Sequence, residues 1–266
     1  MSISIQEAKI KINDILDSID SLSITDTSDK SNSDAHSLMK MFPVGGCIVP
    51  TDIDQLPSLS LPNHKFQAPK TVDLRDYCTP PTNQGQLPRC AGHAAVSFAE
   101  NVLWRKNDYY EDISPDKIYL EAKKIDGNPN GDGTTLTAVM NVLLNLGYFD
   151  KNICSIKVIK NYDDYENKLK YAIHKFGCLL VALNISEEFY YINKNTATIT
   201  GTKNTNKLGG HALCCCGMLP DGIIIQNSWG STWGKHGFAL VTWEALKSQF
   251  LYATVLENCL DGMKMN

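Results

Sequence analysis

The apolar positions divide this chain into a sparse beginning and a dense remainder. Between Ile5 and Leu22, the residues Ile12, Ile15, Leu16, Ile19 and Leu22 fall at i, i+3, i+4, i+7 and i+10. That spacing predicts one face of an amphipathic helix over 5–22. Ser21 to Asp34 carries no such stripe and reads as a flexible, polar linker. From Met39 to Pro62 the recurrence of Pro43, Gly45, Gly46, Pro50, Pro57 and Pro62 predicts extended, irregular chain.

From Thr71 onward the pattern becomes that of a packed domain. Ala94, Phe98 and Val102 mark successive turns of a helix from Cys90 to about Lys106. Ser114-Pro115 places an N-cap before proline at the first helical position, opening a helix to about Lys124. Thr134 or Thr135 caps another over Leu136–Leu146, closed by Gly147, and Asp163–Lys175 is a fourth. Leu179–Leu183, His211–Cys216, Ile223–Gln226 and Phe238–Thr242 alternate as strands. Helices first and strands second predict an α+β fold over 71–266, preceded by a compositionally distinct region over 1–70.

Composition narrows the function classes. The chain has 266 residues, 43% hydrophobic and 20% charged, with a net charge of −4. That balance is ordinary for a globular protein, and no basic run interleaves with aromatics as a nucleic-acid surface would need. No stretch reaches the ~18–20 apolar residues of a membrane span. The N-terminus lacks the basic and apolar regions of a secretory signal. The nine cysteines show no C-x-x-C pairing, so a zinc site is poorly supported. The run Cys214-Cys215-Cys216 reads as small hydrophobes on a buried strand, which suits a reducing compartment such as the cytoplasm. Delivery or packaging by a route without a signal peptide is compatible with that expectation.

Amide hydrolysis by a thiol needs a stabilised thiolate, a base, a group holding the base, and donors for the oxyanion. Cys90 opens a helix, where the positive end of the helix field would favour its thiolate. Gln84 lies six residues earlier on a Gly- and Pro-rich loop. Gly209-Gly210-His211-Ala212 sets a histidine at a glycine-flanked strand start. Sixteen residues later comes Asn227-Ser228-Trp229-Gly230, continuing through Trp233-Gly234 to Gly237-Phe238.

These motifs resemble the papain and cathepsin family: an N-Q-G loop, a helix-opening Cys, a G-H-A strand and N-S-W-G-x-x-W-G-x-x-G-[YF]. The last is matched at every defined position. Val72-Asp73-Leu74-Arg75-Asp76 is similar to the start of mature enzymes in the family, and the resemblance runs over about 71–258. It implies a two-lobed fold, a helical left lobe and a strand-rich right lobe with the active-site cleft between them. It also implies a thiol endopeptidase acting on polypeptides through a Cys90 thioester, with no metal or organic cofactor. Cys90 would be nucleophile, His211 base, Asn227 its orienting partner, Trp229 their shield and Gln84 an oxyanion donor. Gly131, Gly133, Thr134 and Gly210 would line the substrate cleft.

The departures are local. Leu87 stands where the family has a cysteine, so its usual disulfide is excluded, and Ala91, Gly92 and His93 replace an aromatic and its neighbours. His93 is expected to fill an aromatic-sized slot and His236 to lie at the surface. The 1–70 region is expected to be an inhibitory pro-segment of a zymogen, or else a solvated tail or docking helix. Cys47 is either a free thiol or the partner of Cys90 in a redox lock. Two other classes use the same constellation: an acyl-transferring ligase or transpeptidase, and an inactive binding module.

Overall fold

The computed structural model describes residues 44–63, 66–203 and 205–260. The helix expected over 5–22 and the linker after it lie outside the described residues. Residues 44–63 run mainly as irregular chain with one 3-10 turn at Ile53–Gln55, as the proline and glycine spacing requires.

Two lobes follow, in the order the sequence predicts. The helical lobe contains α1 (Cys90–Asn107), α2 (Pro115–Lys123) and α3 (Leu136–Asn145). Every residue of α1 from Cys90 to Val102 is buried, so this helix is enclosed on all sides. Its small residues permit that. A Cβ at Gly92 would lie 2.6 Å from the Pro115 carbonyl oxygen, so α2 could not pack as it does on a larger residue. Ser114 Oγ accepts from Lys117 N (3.3 Å) and Thr135 Oγ1 from Ala138 N (3.1 Å), capping α2 and α3 as expected. Within α1, Glu100 accepts from Thr79 Oγ1 and Ile113 N, and Asn101 Nδ2 donates to Leu74 O (3.1 Å). These buried bonds clamp the start of the domain to the helix.

The second lobe is a largely antiparallel sheet. Its strands are β1 (Val72–Asp73), β2 (Ser155–Lys160), β3 (Leu179–Ser186), β4 (Thr198–Ile199), β5 (Lys207–Leu219), β6 (Gly222–Gln226), β7 (Phe238–Thr242) and β8 (Phe250–Glu257). Their order is β2-β8-β3-β5-β6-β7-β4, with β1 paired to β5 and, among these strands of the described residues, only β4–β7 parallel. Helix α4 (Tyr165–Phe176) covers one face together with two short helices, α5 (Glu188–Tyr191) and α6 (Trp243–Gln249). On β5 the period of two separates Ala212, Cys214 and Cys216, which belong to the core shared with α1. Leu213 and Cys215 pack into the other core. The three cysteines are therefore split between two hydrophobic cores, and all nine cysteines of the chain are free thiols.

Candidate active site

Cys90 is the first residue of α1 and is 1% exposed. Its sulfur accepts a hydrogen bond from the Ala212 N–H on β5 (3.4 Å), so helix start and strand meet at this atom. His211, the preceding residue on β5, is fully buried. Its Nε2 lies 2.8 Å from Asn227 Oδ1, and the same oxygen accepts from Ser228 N at 2.8 Å. An oxygen that accepts from a backbone N–H must also accept from the ring, so Nε2 carries the proton and Nδ1 the lone pair. Nδ1 is buried and without a hydrogen bond, which leaves it as the available base atom.

An aromatic cluster encloses this pair. Trp229 lies over the His211 ring at 5.1 Å between centroids, Tyr190 stacks on Trp229 at 4.8 Å, and Trp233 meets it edge-on at 5.8 Å. Excluding water from the His211–Asn227 bond in this way fixes the ring orientation.

Gln84 is also tied to the Asn227 motif. Its Oε1 accepts from Ser228 Oγ (2.6 Å), its backbone N–H donates to Ser228 O (2.9 Å), and its Nε2 donates to Leu87 O (3.0 Å). A carboxamide nitrogen carries two hydrogens, so one remains beyond the bond to Leu87. Ser228 thus orients Gln84, a role the sequence carried inside its most recognisable motif without marking it.

The cleft is occupied by the chain itself. Residues 44–48 pass over Cys90, and a Cβ on Gly46 would lie 2.9 Å from the Cys90 sulfur and 2.8 Å from Pro88 O. Gly45 N and Cys47 N donate to Gly210 O (3.0 and 3.2 Å). On the other side Thr134 N donates to Gly46 O (3.2 Å) and Ile48 N to Thr134 O (3.0 Å), a parallel bridge centred on Cys47 and Thr134. Gly133, with φ of +75°, must be glycine here because a Cβ would lie 2.8 Å from Gly45 O. Lys123 Nζ donates to Gly133 O (2.8 Å) and pairs with Asp126 (2.7 Å), holding this wall in place.

Thr134, Gly133 and Gly210 are thus brought to the cleft. Gly131 is not: it closes a turn on Asn128 O and packs against the Asn128 side chain, because the wall begins two residues later. Cys47 and Cys90 are both free. Gly46 faces the sulfur, while the Cys47 thiol is in hydrogen-bond contact with Tyr252. His93 is buried with Nδ1 2.7 Å from Thr82 Oγ1, filling its slot in the helix packing; His236 is half-buried.

Burial controls the electrostatics of this closed arrangement. It pushes the Cys90 thiol up to about 12, against the lowering effect of the Ala212, Ala91 and Cys90 N–H groups. It pulls His211 down to about 4, opposed by the bond to Asn227 and reinforced by nearby His93. The helix start alone therefore does not produce a thiolate. With the cleft filled, thiol and imidazole are both neutral.

A family model described as papain family cysteine protease matches residues 147–247. The chain is 27% identical over 210 residues to cathepsin K of Gallus gallus, covering 69% of this chain and 62% of that protein. It is 24% identical over 219 residues to fruit bromelain of Ananas comosus, covering 73% and 60%. The matched region thus spans about three-fifths of each relative's length. Among solved structures, xylellain, a cysteine protease from Xylella fastidiosa, superposes with a TM-score of 0.62 at 19% identity, covering 82% of this chain and 96% of that one. Digestive procathepsin L2 proteinase from Tenebrio molitor larval midgut gives 0.62 at 18% identity, covering 95% and 90%. With the two-lobed architecture and the Cys, His and Asn motifs, these matches show a papain-like fold and a chain similar to papain family cysteine proteases.

Proposed function

We propose that this chain is a thiol endopeptidase whose own residues 44–48 keep it closed until they are displaced. The observation that carries the reading is the convergence of Cys90, His211, Asn227 and Gln84 beneath a strand of chain. Once the cleft opens, water reaches both reacting groups and the penalty of burial falls. The Cys90 proton can then pass to His211 Nδ1, giving a thiolate beside an imidazolium. The thiolate attacks a peptide carbonyl, and the Cys90 N–H and the second Gln84 N–H stabilise the oxyanion. His211 returns its proton to the departing amine, leaving a thioester. A water molecule, deprotonated by His211, hydrolyses that thioester and restores the thiol.

The bound segment suits an inhibitor better than a substrate. Gly46 O is held by Thr134 N and Ile48 O by Tyr252, and Gly45 O and Cys47 O lie against Gly133 and Gly210. Gln84 Nε2 is bonded to Leu87 O. None of these segment carbonyls is hydrogen-bonded to the Gln84 amide, whose second N–H is the one an attacked carbonyl would need. The test is hydrolysis of internally quenched peptides by the displaced form and its Cys90→Ala variant. The proposal expects turnover in the first and none in the second. Equal activity in both, or none in a form whose Cys90 is freely alkylated, overturns it.

A further inference from the structure

Between Val44 and Ile48 the segment commits only one side chain to the cleft, because residues 45 and 46 are glycines. That side chain is Cys47, 6% exposed. Its pocket is built on one rung of the sheet: Ala212 on β5 is paired with Ala182 on β3, and Ala182 with Tyr252 on β8. Cross-strand partners point to the same face, and all three belong to the core that contains Cys47 and Cys90. Two alanines leave space beside the cleft, and the tyrosine takes it back.

Tyr252 is fully buried and its hydroxyl is fixed from both sides. It accepts from Leu136 N at the start of α3 (2.7 Å) and donates to Ile48 O (3.0 Å). Leu136 N is one of the helix-start donors that would otherwise lack a partner, so the ring spans from sheet lobe to helical lobe and cannot swing aside without orphaning it. The Cys47 thiol lies in hydrogen-bond contact with this same hydroxyl. The pocket depth is thereby set by a ring tied at its tip.

Direction of the occupant does not change which side chain enters. The segment lies parallel to Thr134 with residue 47 opposite it, while an antiparallel strand would place the residue exchanging both hydrogen bonds with Thr134 at the same point. The neighbouring residue, Gly46 here, is the one at the sulfur. We propose that Tyr252 makes this pocket selective for a small side chain, of the alanine, serine or cysteine class, at the second residue on the acyl side of the scissile bond. Leucine and phenylalanine are excluded there. The substrate part of this inference rests on the peptidase reading above; the pocket size does not.

The experiment uses the full chain. Cys90 alkylation by iodoacetamide is followed by peptide mass mapping in Cys47→Ala, Cys47→Phe and Cys47→Phe with Tyr252→Ala, with thermal melting to confirm folding. Cys47→Ala is expected to label within about threefold of the unmodified chain, because its side chain fits. Cys47→Phe is expected to label at least about tenfold faster, because overpacking expels the segment. The added Tyr252→Ala should return the rate to within about threefold, and Tyr252→Leu serves the same purpose if the alanine variant does not fold. Cys47→Phe labelling no faster than Cys47→Ala overturns the pocket, as does a folded double variant that stays as open as Cys47→Phe. The opened Cys47→Phe chain is then given peptides with Ala or Phe at the second acyl-side position. At least about tenfold preference for Ala is expected. Equal turnover of the two overturns the selectivity and leaves the peptidase standing. Rapid alkylation without any peptide turnover instead removes the peptidase and leaves the pocket.

Discussion

The two lobes contribute to one site in different ways. The helical lobe presents its reactive atom through backbone: Cys90 stands where α1 begins, and enclosed small residues such as Ala91 and Gly92 let the helix sit there. The sheet lobe works through side chains, with His211, Asn227 and Trp229 aligned by bonds and ring contacts. The family model matches only 147–247, which falls almost wholly in the lobe whose side chains are constrained by chemistry. Leu87 and His93 depart from the papain motif, and α1 still starts at Cys90.

The sharpest way to break that comparison is to exchange its two buried histidines. His211→Ala in the opened form is expected to lower kcat/KM by about 10²–10⁴, the span of a positioned acid–base. His93→Phe, in the helical lobe, is expected to stay within about fivefold, since its ring fills a slot and bonds only Thr82. A loss from His93→Phe as large as that from His211→Ala would reassign the base.

Gln84→Ala is expected to cost about 2.7–4 kcal/mol of transition-state stabilisation with little change in KM. A pure KM effect would place the oxyanion elsewhere. Lys123→Met should lower stability by about 1.5–3 kcal/mol, because it removes the ammonium that bonds both Asp126 and Gly133 O and leaves Asp126 held by the Asn128 N–H. Chemical denaturation reads this directly, and an unchanged midpoint would show that Asp126 finds another partner.

Acid gives the mildest perturbation. His211 and His93 are both held near 4, below the ordinary 6.5, so the unfolded chain binds protons that the closed form refuses. Their neutral state favours the closed form fully above pH 6.5, and that contribution drains away as pH falls towards 4. The groups facing them are Asn227 for His211, and Thr82, Asp116 and Arg89 for His93. The melting temperature is expected to fall from pH 7 to pH 4.5, and His93→Phe to fall less steeply. Parallel curves would exclude His93 as a contributor.

What was legible in the sequence follows the same division. The helix caps at Ser114 and Thr135 and the residues Cys90, His211 and Asn227 are local signals, each carried by a few adjacent positions. Tyr252 was not legible, because its role depends on cross-strand register with Ala182 and on a bond to Leu136, 116 residues away. Its strand, Phe-Leu-Tyr-Ala-Thr-Val-Leu-Glu, is a continuous apolar run with no period to separate strand from buried helix. Strand β2 escaped because its burial shifts from half-exposed at Ser155 to buried at Lys160 instead of alternating. The Gly131 expectation failed for a similar reason: glycine spacing marks a turn, but only the backbone path shows that Gly133 faces the segment.

The central claim is that Gly46 lies on the nucleophile and closes the site. Its most direct test is the rate of Cys90 alkylation in the full chain before and after Gly46→Val. A Cβ at this position meets both the Cys90 sulfur and the Pro88 backbone inside 3.0 Å, so the segment must lift. Labelling at least about tenfold faster in the variant is the predicted result. Equal rates, with Cys90 mapped as the modified residue in both, would mean that residues 44–48 do not guard the sulfur.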